Sequence, residues 1–104
     1  MGKKEDIHEL TNLLAKALRH KIGSIVNKNE IYASRYAKDA EVLIKEAKKI
    51  SFSLNLNIYD KSNLKNELRK KLRDELEKKD FLDNKKFDYV EEEINNILKE
   101  FGWE

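Results

Sequence analysis

Ile50-Ser51-Phe52-Ser53-Leu54-Asn55-Leu56-Asn57-Ile58 is the stretch whose reading decides the fold. Apolar and polar residues alternate through it without a miss. A period of two places the apolar set on one face of a half-buried strand. Ser and Asn are also poor helix-interior residues, because their side chains compete for the backbone. Ile50, Leu54 and Ile58 keep a helical step of four, but a helix would leave Phe52 and Leu56 on the opposite face. The strand accounts for all five apolar positions and is the expectation carried forward.

Helical periodicity surrounds this segment. Upstream, Ile7, Leu10, Leu14, Leu18, Ile22 and Ile25 recur at three- and four-residue steps, widened by Leu13 and Ala17. Asp6 and Glu9 have capping-box spacing at the start, and Gly23 weakens the far end. Asn27-Lys28-Asn29 reads as a turn, with Asn27 and Glu30 again at capping-box spacing. Ala33, Tyr36, Ala40, Leu43, Ala47, Ile50 and Leu54 follow in 3-4-3-4-3-4 steps, a coiled-coil period whose alanines admit a close neighbour. The short turn makes these two helices an antiparallel hairpin.

Downstream, Ser62 can cap a third helix with the narrow stripe Leu64, Leu68, Leu72, Leu76. Residues 80–86 break the pattern, with Phe81 and Leu82 expected to pack. Asp88 and Glu91 have capping-box spacing for a fourth helix carrying Val90, Ile94, Ile97, Leu98 and Phe101. Gly102 stands where a left-handed stop belongs, followed by Trp103. The expected fold is therefore mainly α and a single domain. An antiparallel helical hairpin occupies residues 1–49, and one short strand with two further helices occupies residues 50–104. The alternative, if residues 50–58 are helical, is an all-α four-helix bundle.

The 104 residues are 40% charged and 39% apolar, polar for a globular chain, but the strong periodicity argues against disorder. Proline is absent and glycine occurs three times, which favours long helices. Without cysteine there is no disulfide framework, thiol nucleophile or zinc–thiolate site. No apolar run reaches the ~18–20 residues of a membrane span, and the N-terminus has no apolar signal region, so a cytoplasmic location is expected. Charge is unevenly spread: residues 61–79 hold 8 positive and 4 negative side chains, residues 80–104 hold 3 and 8. The outer face of the third helix is basic through Lys65, Arg69, Lys70, Arg73 and Lys79. Arg35, Lys38, Lys45 and Lys49 line one outer face of the second, although Glu41–Lys45 pairing accounts for part of it. A solvated Lys/Glu surface is the plain reading of both, and a patch facing an anionic partner the functional one.

A lone strand must find a partner for its backbone groups, and no second strand pattern appears in the sequence. The same strand from a second copy, antiparallel across a two-fold axis, is the simplest partner, so a homodimer is expected. Strand, helix, helix with such pairing resembles the ribbon-helix-helix DNA-binding family. The residues carrying the resemblance are Ile50 to Ile58, then Leu64 and Leu68, then Val90, Ile94 and Leu98. The resemblance implies a paired ribbon in the major groove, with Ser53, Asn55 and Asn57 reading base edges. The chain departs from the family in lacking the turn glycine between the last two helices, in the acidic Glu91-Glu92-Glu93, and in its additional N-terminal hairpin.

No catalytic constellation stands out. His8 and His20 lack acidic partners at metal-ligand spacing, so no metal is expected. Leu18-Arg19-His20-Lys21-Ile22-Gly23 loosely resembles the phosphoacceptor box of histidine kinase hairpins, but Lys21 stands where an acidic residue is typical, so His20 reads as a surface histidine. The serines show no nucleophile motif, and no Gly-rich phosphate loop occurs. The expected function is that of a small non-enzymatic binding protein with no cofactor, membrane or small-molecule substrate. The first reading is a homodimeric DNA-binding regulator acting through Ser53, Asn55, Asn57, Lys65, Arg69, Lys70 and Arg73. The alternative is a protein–protein interaction module without nucleic acid (a helical-bundle adaptor, inhibitor or small subunit of a complex). It would act through Ala33, Tyr36, Ala40, Leu43 and Trp103. Trp103 serves equally well as a partner hot spot or as an anchor on its own core.

Overall fold

The computed structural model describes residues 2–27, 29–79, 82 and 84–104, without the side chain of Glu30. It consists of helices α1 (Lys3–Val26), α2 (Glu30–Ser51), α3 (Ile58–Glu77) and α4 (Val90–Glu100), the last preceded by a 3-10 segment, Asn84–Tyr89. The all-α alternative fits, and no strand occurs among the described residues.

Residues 50–58 correct the strand expectation, and they do not continue α2 to their end either. α2 stops at Ser51, and the chain crosses to α3 through a short connection. Polar side chains close off the two helix ends. Ser51 Oγ donates to the Lys48 carbonyl (2.7 Å) and Ser53 Oγ to the Ile50 carbonyl (3.0 Å). Asn57 Oδ1 accepts from the Asp60 amide (2.8 Å) while Asp60 Oδ2 accepts from the Asn57 amide (3.1 Å), a reciprocal cap at the start of α3. Leu56 is buried and Ile50 and Leu54 pack on the core, but Phe52 is 84% and Ile58 77% exposed. The five apolar residues therefore do not share one face. Without an unpaired strand edge, this segment places no demand for a second copy of the chain.

Other helix ends also differ from expectation. α1 begins at Lys3, one turn before Asp6; its N-cap Gly2 makes no side-chain bond, and Glu5 and Asp6 complement the dipole in its first turn. α2 is capped by Asn29, which accepts from the Ile31 and Tyr32 amides, rather than by Asn27. Asn27 Oδ1 accepts instead from the Asn29 amide. The expected partner side chain, Glu30, lies outside the described residues, as do Lys28 of the turn and Phe81. α3 starts at Asn57–Ile58, ahead of Ser62. Asp88 sits in the 3-10 segment, which leaves Tyr89 as the N-cap of α4, with no side-chain cap bond.

The apolar stripes meet as their spacing requires. Leu10, Leu14, Leu18 and Ile22 of α1 pack with Leu64, Leu68, Leu72 and Leu76 of α3 and with Val90, Ile94, Ile97 and Leu98 of α4. α1 runs centrally, with α3 on one side and α2 on another. α2 supplies only Ala40 and Ala47 as fully buried apolar side chains. Gly23 does not end α1; it leaves room for the Tyr36 ring, which would lie 3.3 Å from a Cβ there. Gly102, at φ 76°, ends α4, with its amide bonded to the Lys99 carbonyl and the Trp103 amide to the Leu98 carbonyl. Those two bonds make the left-handed stop that the spacing predicts.

Candidate interaction surface

Ser53 and Asn55 lie on the exposed connection between α2 and α3, and Asn57 is committed to capping α3. They form no ribbon among the described residues. Two of the five cations on the outer face of α3, Arg69 and Lys65, are engaged within the molecule. Arg69 donates from Nε and Nη2 to the two Glu91 oxygens, at 2.6 and 3.1 Å, and from Nη1 to Asn66 Oδ1. Lys65 bonds Glu104 at 2.8 Å. Lys71 donates to Glu67 (2.7 Å) and to the buried Thr11 hydroxyl (2.8 Å). Lys70 and Arg73 remain exposed, and Arg73 adds to the field that lowers the Glu91 pKa, a shift owed first to Arg69. The start of α4 offers an anion little. Glu91 faces Arg69, and Glu93 is buried with Lys21 Nζ 2.8 Å from its Oε2, close but outside hydrogen-bond alignment.

Ala33, Tyr36, Ala40 and Leu43 fall on the α1-facing side of α2. Ala40 is buried, and Tyr36 packs at Gly23 and 5.7 Å from the His20 ring. Ala40 and Tyr36 thereby pack within the hairpin, and Ala33 and Leu43 are half-buried. Trp103 is half-buried on the core, 5.0 Å from the Phe101 ring and tied by its amide to Leu98, so it anchors the C-terminus.

The diametrically opposite side of α2 is the surface without a covering element. At about 100° per residue, Ile31, Arg35, Lys38, Val42, Lys45 and Lys49 fall within an arc of roughly 80°, centred opposite Ala40 and Ala47. All six are exposed. Ile31 is 72% and Val42 61% exposed, large aliphatic groups left in water. Among the described residues, Arg35, Lys38 and Lys45 have no ion-pair or hydrogen-bond partner, and Lys49 only a loose one, Glu46 at 3.6 Å. The four cations were legible in the sequence as an outer face. The membership of Ile31 and Val42 was missed, although the 4-3-4-3-4 step from 31 to 49 carries it.

Among the described residues, no group of three or more His, Asp or Glu side chains could hold a metal ion, and no helix is long and apolar enough to cross a membrane. No family model, curated protein or solved structure matches this chain.

Proposed function

We propose that this chain is a protein-interaction module that docks an acidic amphipathic helix of a partner protein along the outer stripe of α2. The observation that carries the reading is the exposure of Ile31 and Val42 on the same stripe as the unpaired Arg35, Lys38 and Lys45. Cations alone suit any anion, including a phosphate backbone. Aliphatic groups among them gain little against phosphate and much against the apolar side of a helix, which removes them from water. The heptad-like step of the stripe matches a second helix laid alongside, with flanking charges setting orientation and partner choice. The basic face of α3 favours this over a nucleic-acid reading, since Arg69 and Lys65 already have carboxylate partners.

The test is an amide NMR titration with two probes, a designed helical peptide with Leu on one face flanked by Glu, and a short DNA duplex at low salt. The reading predicts that the peptide moves the amides of residues 31–49 and that Lys38→Glu with Lys45→Glu weakens it about tenfold, the sum of two lost and reversed surface pairs. Duplex DNA moving those amides, or Lys70 and Arg73, with the peptide silent, would overturn it.

A further inference from the structure

A second feature lies on the inner side of the hairpin, where Arg19, His20, Gly23, Tyr36, Lys79 and Leu82 line a cavity of about 90 Å³. Its walls are built by packing. Gly23 has no Cβ, so Tyr36 closes one side. Lys86, itself buried, donates from Nζ to the Lys79 carbonyl at 2.8 Å and fixes the chain where α3 ends.

Among the described residues, Arg19 has only a long ion pair and a bond to a histidine ring. Arg19 Nη2 donates to His20 Nε2 at 2.9 Å, so a cation is spending a donor on a neutral imidazole. Arg19 Nη1 also pairs with Glu75 Oε2 at 3.6 Å, an ion pair longer than a hydrogen bond. Lys79 brings a second cation to the same wall. The groups that face His20 are Arg19 on α1, Asp39 on α2, Glu75 on α3 and Lys79 just beyond its end. Burial of the ring is the largest influence on it and disfavours its charged form, and Arg19 acts in the same direction. The imidazole is therefore held neutral beside two cations, in a cavity with room for a small oxyanion.

We infer that this cavity is a binding site for a small phosphate-class oxyanion, held between Arg19 and Lys79 with His20 as the third donor. The anion supplies the acceptor that the imidazole now supplies to Arg19. His20 then takes a proton from solvent at Nε2 and donates to the anion, so binding and protonation are coupled. This site is separate from the outer stripe of α2 and stands or falls independently of it.

The two histidines of the chain make the test internally controlled. His8, on the exposed side of α1 beside Glu67 and Lys71, reports the general effect of the medium. The imidazole resonances are titrated in chloride and in inorganic phosphate at equal ionic strength. The inference predicts that phosphate raises the His20 pKa by about half a unit or more and leaves His8 in place. It further predicts that Arg19→Gln or Lys79→Gln, each confirmed folded by its amide spectrum, removes the difference. Equal pKa values in the two salts, or equal movement of both histidines, would overturn it.

Discussion

Arg69 on α3 holds Glu91 at the start of α4 in a two-pronged grip, Nε to Oε1 at 2.6 Å and Nη2 to Oε2 at 3.1 Å. The bond joins the helices at the point where α4 lacks a side-chain cap, and it occupies a cation of the outer face of α3. Arg69 holds the Glu91 carboxyl below its ordinary 4.5. A carboxylate with a depressed folded-state pKa contributes stability above its unfolded value and loses it as the pH falls through the folded one. Arg69→Gln should therefore cost about 0.5–1 kcal/mol at neutral pH, as for a well-aligned exposed pair, and progressively less below pH 4.5. Urea denaturation of both proteins across that range measures the difference.

Asn57→Ala should destabilise the chain by about 1 kcal/mol, because it removes half of the reciprocal cap with Asp60. Helical content should fall at the α3 N-terminus alone, which amide exchange at residues 58–61 would register. An unchanged denaturation midpoint would remove the capping role from this residue.

Much of the architecture was legible because the apolar steps are regular. Leu10, Leu14, Leu18 and Ile22, and the four leucines from Leu64 to Leu76, pack as their spacing requires, and Gly102 stops α4. The segment 50–58 misled for a definable reason. Alternation records which residues are polar and not where their bonds go; Ser51, Ser53 and Asn57 turn to nearby backbone groups instead of presenting one solvated face. The engaged state of Arg69 and Lys65 was hidden for another reason. Glu91 lies 22 positions beyond Arg69 and Glu104 lies 39 beyond Lys65, separations that no helical period reports. The α2 surface was half visible, since its cations were read but its two aliphatic members were not.

Leu68→Ala should lose about 2–5 kcal/mol, the cost of a deleted core side chain and the cavity it leaves. Ile58→Ala, at the exposed start of α3, should stay within about 0.5 kcal/mol of the parent. Paired denaturation curves separate the two, and a large loss at Ile58 would mean that it is covered in solution.

The fold should weaken as the pH drops through 6.5, the ordinary value for histidine. Burial, then the charge of Arg19, keeps the His20 imidazole below that value. The unfolded chain takes up its proton first, so acidification favours unfolding until the folded pKa is passed. His20→Gln should flatten this dependence, seen as a smaller difference between denaturation midpoints measured at about pH 7.5 and about pH 5.5.

The outer stripe of α2 is tested most directly by a photocrosslinking amino acid at Val42, installed in the full chain in expressing cells. The expected result is a protein adduct whose crosslinked peptide carries Glu and Asp at helical spacing, and its loss when Lys38 and Lys45 are both changed to Glu. An adduct with nucleic acid, or a yield no higher than from the same probe at exposed Glu77, would contradict it.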